Sequence, residues 1–338
     1  MPKQLGDLLN KVIELNRNEI PYPPPERVIE AAKKGLTSSN RYLKTSELNE
    51  LRRMLSIYSK VEEGSIHIGS GAEALIAQTL HLFSRKGKVV IVDPTFLMIT
   101  YLAEHLEKLG TKILKIKLVE PSFSLPVELL VEESKDASLM IIDNPNNPSG
   151  RILIDRSSVD ELCESISGIL LIDEGYYEFS HFTIANMVRN HSNLAVTRTM
   201  SKAFGLAGLK LGYMIAGEIV LDIFSSLDLP LRPTKPSVYA ATEALKDTRY
   251  MERNVKLITD ERERIAKEIS EMEVNVYPSC ANFLLMRTNI PYAARKLKEL
   301  GITVFDLSNQ LSHEFIRMSI GLTEENDAFL STLRRLVL

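Results

Sequence analysis

The chain has 338 residues, 44% of them hydrophobic, enough for two domains or one large domain with an appended lobe around a buried core. A formal net charge of −3 with interspersed signs offers no footprint for a polyanion, so nucleic-acid binding is not expected. Two distant cysteines, Cys163 and Cys280, without metal-ligand spacing, point to a reduced, cytoplasmic compartment and no metal, and no apolar run reaches membrane-spanning length.

In chain order, residues 1–34 open with a short amphipathic segment and continue as Leu15–Pro25, whose prolines exclude helix and central strand and predict an extended arm over the surface. A helical pattern follows over Glu26–Gly35, a polar loop carries Arg41 and Tyr42, and a second helix is expected over Glu47–Tyr58. One plan then recurs: a short apolar segment, a small, polar or proline-bearing turn, and usually a helical pattern. Such βα units feed a mostly parallel sheet. The segments are Ser65–Ile68, Val89–Val92, Leu139–Ile142, Ile169–Ile172 and Leu194–Val196, and Leu211–Ala216 reads as one more buried strand.

Composition breaks at Leu227–Pro236, and one long helix is expected over Ser237–Met272, with Arg262, Glu263 and Lys267 on a solvated outer face. Strands near Val274–Tyr277, Asn282–Met286, Ile302–Phe305 and Phe315–Ile320 complete a small α+β lobe. The fold class is α/β: a large domain with a mostly parallel sheet over 35–230, and a smaller α+β domain built from 1–34 plus 237–338.

Ligands bind such sheets at the carboxyl ends of the strands, and the unusual residues fall at those ends. Gly69-Ser70-Gly71-Ala72-Glu73-Ala74 lets backbone approach a ligand and opens a helix whose free amides suit a phosphate. It also matches a dinucleotide pattern, with Asp93 about 20 residues on as a ribose-binding acid, so a nucleotide-dependent oxidoreductase is the rival. Lys202, in a run of small and apolar residues, is either a lysine whose stem lies on apolar surface or a desolvated amine able to form a Schiff base with an aldehyde. Asp173 ends an apolar strand, where an unpaired carboxylate is costly and a cationic ring nitrogen is a natural partner. Asn147 in its Pro-Asn-Asn-Pro turn and Tyr176 can donate to one ligand oxygen, and Phe96 offers a stacking face, although an Asx turn and core packing account for the same residue types. Together these parts describe a site for pyridoxal 5'-phosphate, an electron sink when its ring nitrogen is kept protonated, with Lys202 as general acid–base.

The motifs Asn16–Tyr22, Asn144–Gly150, Asp173–Tyr176 and Ser201–Gly208, in this order across nearly the whole chain, resemble the fold-type I pyridoxal-phosphate aminotransferases, closest to the histidinol-phosphate aminotransferase branch. The resemblance implies an aspartate-aminotransferase-like fold and a ping-pong exchange between a small-molecule amino donor and a 2-oxo acid, in a homodimer with shared active sites. It implies that Lys202 carries the cofactor, Asp173 pairs with the pyridine nitrogen, Asn147 and Tyr176 hold the ring oxygen and Phe96 covers the ring. The phosphate falls to Gly71, the Ala72 and Glu73 amides, Thr199, Ser201 and Lys210, with Tyr42 reaching over from a second subunit, while Arg317, Tyr22 and Asn147 meet the substrate. The implied reaction is histidinol phosphate with 2-oxoglutarate, in histidine biosynthesis, with an aromatic amino acid as the alternative donor and decarboxylation of a phosphorylated amino acid as a lesser one. Two positions depart from the family pattern: Lys210 stands where arginine is usual, and Phe305 where an arginine that helps hold the substrate phosphate is expected.

Overall fold

The structure is a computed structural model and describes residues 12–84, 87–226 and 232–337. The amphipathic start of the chain and residues 227–231 of the composition break lie outside the described residues. The first elements are β1 (Ile13–Leu15), α1 (Glu26–Leu36), α2 (Thr45–Ser59), β2 (Ile66–Gly69), α3 (Ala72–Phe83), β3 (Lys88–Asp93), α4 (Leu97–Lys108) and β4 (Ile113–Lys117). There follow α5 (Val127–Ser134), β5 (Ala137–Asp143), α6 (Arg156–Ser165), β6 (Ile169–Asp173), α7 (Tyr177–Ser180), β7 (Leu194–Thr199), β8 (Gly212–Ala216) and α8 (Glu218–Ser226). The chain ends with α9 (Lys235–Leu245), α10 (Arg249–Ser270), β9 (Asn275–Val276), β10 (Phe283–Arg287), α11 (Ala293–Glu299), β11 (Ile302–Asp306), β12 (Phe315–Ser319) and α12 (Thr323–Val337).

A 7-stranded sheet runs in the order β2-β8-β7-β6-β5-β3-β4, with β8 antiparallel to both its neighbours and the remaining pairs parallel. Both faces are covered, so β5 and β6 are buried along their whole length and read as unbroken apolar runs. Alternate residues enter opposite cores: Met140, Ile142, Leu170 and Ile172 pack on one face, Leu139, Ile141, Ile169 and Leu171 on the other, against Leu75, Ile76 and Ile99 of α3 and α4. Each such side chain contributes about 1.5–3 kcal/mol by leaving water, which lets the sheet tolerate carboxylates buried at its edge. A second, 5-stranded sheet runs in the order β1-β11-β12-β10-β9.

Four expectations change. The segment Leu15–Pro25 is an extended arm only in part: residues 20–25 run without helix or strand and half-buried or exposed, but Leu15 closes β1, which pairs in parallel with β11, and Asn18 is 1% exposed. Strand β4 was not foreseen, because the lysines of Ile113-Leu114-Lys115-Ile116-Lys117 mask an edge strand. The long helix divides into α9 and α10 at Lys246–Thr248, and its Arg262 is buried, donating to the Ala281 carbonyl at 2.8 Å, whereas Glu263 and Lys267 do face solvent. Finally, the Lys202 segment is a reversal between adjacent antiparallel strands, β7 and β8, rather than a crossing.

Candidate active site

A cavity of about 650 Å³ opens at the carboxyl ends of β3, β5, β6 and β7, closed on its far side by β11, β12 and the segment after β1. Its floor is made by the last residues of β5 and β6. Asp143 and Asp173 are register partners on these strands. Asp143 is not a free acid: it accepts from Thr95 Oγ1 at 2.8 Å, Asn146 Nδ2 at 2.9 Å and the backbone N–H groups of Phe96 at 3.2 Å and Asn147 at 2.7 Å. Burial nevertheless pushes it up to about 6, against those bonds. It thus ties the turn that carries Asn147 to the turn that carries Phe96. Asp173 receives a single side-chain bond, from Thr197 Oγ1 at 2.8 Å, and makes no ion pair among the described residues. Burial pushes it up to about 7, with Asp143 and Glu174 adding to the rise.

Lys202 also lines the cavity, where its amine donates to the Arg17 carbonyl at 3.0 Å. Burial, with Arg317 nearby, lowers it to about 8, which leaves a useful fraction of free amine near neutrality. On the sheet side, Gly71 adopts φ +95 and opens α3, presenting the first amides of the helix to the cavity. A side chain on Gly212 would meet the Ala72 nitrogen at 2.2 Å, so β8 passes directly beneath that helix start. Thr199, Ser201 and Lys210 border the same corner, where Lys210 pairs with Glu73 at 2.7 Å. Amides at a helix N-terminus, two hydroxyls and a cation make an anion seat.

The opposite wall belongs to the second sheet. Arg317 is buried, donates to Asn147 Oδ1 at 2.5 Å and to the Asn16 carbonyl at 2.7 Å, and has an Nε without a partner. Burial lowers it to about 10, a penalty that a bound carboxylate or phosphate relieves. Phe305 faces Arg317 across β11 and β12, with the guanidinium 4.3 Å from the ring centroid. Tyr176 sits between the two walls, its hydroxyl accepting from Asn18 Nδ2 at 2.9 Å and Asn147 Nδ2 at 3.3 Å, and burial pushes it up to about 12.

The sequence profile of the class I and II aminotransferases matches residues 10–333. The chain belongs to the class I and II aminotransferase family. A histidinol-phosphate aminotransferase of Sulfurisphaera tokodaii is 33% identical over 97% of this chain and 91% of that protein, and one of Pyrococcus furiosus is 35% identical over 96% and 92%. The crystal structure of the histidinol-phosphate aminotransferase from Clostridium acetobutylicum superposes with a TM-score of 0.87 at 24% identity, covering 96% of this chain and 99% of that one, which shows the shared fold. This aminotransferase is therefore a pyridoxal-phosphate-dependent transaminase with the fold-type I architecture. The cavity fits that cofactor on its own chemistry. Asp173 is a buried carboxylate lacking a cation, Lys202 an amine with a lowered pKa, and the corner at α3 an anion seat, all on one cavity.

Of the residues singled out in the sequence, Gly71, Ala72, Glu73, Phe96, Asn147, Asp173, Tyr176, Thr199, Ser201, Lys202, Lys210 and Arg317 line this cavity. Asp93 does not, so a dinucleotide site would lack its ribose-binding acid. Tyr22 is not among the lining residues; its backbone runs beside the Lys202 turn, where a side chain on Gly205 would lie 3.4 Å from the Tyr22 carbonyl. Tyr42 is 98% exposed and outside this chain's cavity. Sequence reasoning missed Asp143, whose only signal was an acid directly before Asn144-Pro145, and Gln310, which donates to the Thr95 carbonyl at 2.8 Å. It also missed the buried pair of Arg198 and Glu174, 2.8 Å apart, that anchors the turn after Asp173.

Proposed function

We propose that this aminotransferase takes the amino group of histidinol phosphate and passes it to 2-oxoglutarate, the two substrates using one cavity in turn. Lys202 and Asp173 carry the assignment: a free-amine source and an uncompensated buried acid face the same ≈ 650 Å³ space. When bound, pyridoxal 5'-phosphate supplies an electron-withdrawing ring that makes the hydrogen on the amine-bearing carbon acidic. Asp173 holds the proton on the ring nitrogen, Asn147 and Tyr176 bind the ring oxygen, and Phe96 covers the ring. The α3 amides at Ala72 and Glu73, with Gly71, Thr199, Ser201 and Lys210, hold the phosphate, for which Lys210 exchanges its bond to Glu73. Lys202 would be the catalytic acid–base, moving the proton between the substrate carbon and the cofactor carbon.

Arg317 orients both substrates. Glutamate presents an α-carboxylate and histidinol phosphate a phosphomonoester two atoms further out, and the fork of Arg317 suits either anion. Full-length similarity to curated histidinol-phosphate aminotransferases supports the donor. Phe305 beside Arg317 favours a second reading, an aromatic amino acid whose ring packs on it. Exposed Tyr42 fits a homodimer in which it completes the partner's phosphate seat. The partition into 35–230 and 1–34 plus 237–338 belongs to this reading, supported by the pairing of β1 with β11.

The test is to load the purified protein with pyridoxal phosphate, supply histidinol phosphate and 2-oxoglutarate, and follow glutamate. Glutamate is expected in step with loss of the donor, and borohydride is expected to fix the cofactor on the peptide containing Lys202. Glutamate formation from phenylalanine or tyrosine but not from histidinol phosphate would replace the donor named here.

A further inference from the structure

Tyr176 has a hydroxyl whose acceptor sites are both taken. The amide nitrogens of Asn18 and Asn147 donate to it at 2.9 Å and 3.3 Å. Their neighbours fix which way round each amide sits. Arg317 can only donate, so Asn147 turns its oxygen to the guanidinium 2.5 Å away and its nitrogen to Tyr176. Ser319 Oγ receives the backbone N–H of Asn18 at 2.7 Å and gives its own proton to Asn18 Oδ1 at 3.1 Å, which leaves the Asn18 nitrogen for Tyr176. A phenol has one donor and two acceptor sites. With both acceptor sites filled from the protein side, the Tyr176 proton is left to point into the cavity.

We propose that Asn18 is a positioning residue: by donating to the Tyr176 oxygen it forces the phenolic proton toward the ring oxygen of pyridoxal phosphate, so that Tyr176 meets that oxygen only as a donor. The inference rests on the cavity being the pyridoxal-phosphate site proposed above. The backbone is set for this task. Asn18 sits at φ +53, which asparagine tolerates better than most residues, and its carbonyl accepts from Asn282 Nδ2 at 2.9 Å. Both backbone groups are thus held, and the side chain is buried against Tyr176.

A donor on the ring oxygen spreads its negative charge and holds down the pH at which the bound cofactor changes colour. Asn18→Asp keeps the shape and the positive φ but replaces the donor by an acceptor, which draws the Tyr176 proton out of the cavity. Asn18→Gly deletes the amide and leaves the backbone at ease. The measurement is visible absorbance of cofactor-saturated protein against pH, for each variant alone and combined with Tyr176→Phe. The midpoint is expected to rise by about one unit in Asn18→Asp and by a few tenths in Asn18→Gly. Both rises are expected to collapse once the hydroxyl is gone. Equal shifts with and without the hydroxyl would mean that Asn18 acts directly or only structurally, and overturn the proposal. Unshifted variants beside a normally titrating parent would overturn the role of Asn18 alone, whereas a parent with no visible band would overturn the cofactor site and this inference with it.

Discussion

The two walls of the cavity are built differently. The cofactor-facing wall is a row of turns at the ends of one sheet, each following its strand within a few residues, and Asp143 on it is held by local bonds from Asn146 and Asn147. The donor-facing wall joins segments from opposite ends of the chain, the Asn16 carbonyl to Arg317 and the Asn18 amide to Ser319, with Phe305 beside Arg317 on the neighbouring strand. The wall made of local turns carries the groups general to the chemistry, and the one made of distant segments carries those that meet the substrate, the two touching where Arg317 donates to Asn147 and Asn18 to Tyr176.

If that division holds, changes on the cofactor wall remove the reaction for every substrate. Lys202→Ala should lower transamination by about 10⁴-fold or more with all donors alike, measured as glutamate formation, because both the amine and the proton carrier are lost. Asp173→Asn should lower it by roughly 10²–10⁴-fold through the lost charge partner. The same variant has a pH signature in the cofactor-free protein. Burial raises Asp173 from 3.8 to about 7, so the folded chain keeps a proton that the unfolded chain releases across that window. Its contribution to stability is complete below about pH 4 and is lost as the pH rises toward 7. Cofactor-free Asp173→Asn should therefore unfold at higher denaturant than the parent at pH 8, by at most about 4 kcal/mol, and match it near pH 4.

Changes on the donor wall should instead separate the substrates. Arg317→Lys keeps the charge but loses the fork, and KM for both amino substrates should rise about 10–100-fold with the cofactor absorbance unchanged. Phe305→Leu removes the ring beside the guanidinium and should change KM by about 3–10-fold, more for aromatic donors than for glutamate. A loss of cofactor binding in either variant would break the division between the walls.

The cofactor wall was legible because its chemistry sits in short motifs at strand ends, where an acid, an amide or an amine is conspicuous against apolar neighbours. Lys202, Asp173, Asn147 and Tyr176 could be placed before any coordinates. The donor wall was legible only at Arg317 and Phe305, because no local pattern records that Asn16 and Asn18 meet residues 301 positions away. The prolines after Ile20 suggested a surface arm, while the apolar alternation of Ile13 and Leu15 that seats β1 beside β11 was too short to stand out. Arg262 looked like one more charge on a solvated helix face, and only the packing of α10 against the Ala281 loop buries it. Tyr22 shares a motif with Asn18 but, half-buried beside Gly205, is not among the residues that line the cavity.

The most direct measurement is the single-turnover loss of cofactor absorbance when the loaded protein is mixed separately with histidinol phosphate, glutamate, phenylalanine and tyrosine. Histidinol phosphate and glutamate are expected to convert the cofactor far faster than the aromatic amino acids, with Arg317 seating the anion of each. Faster conversion by phenylalanine or tyrosine would contradict that order and make Phe305 the residue that sets the donor.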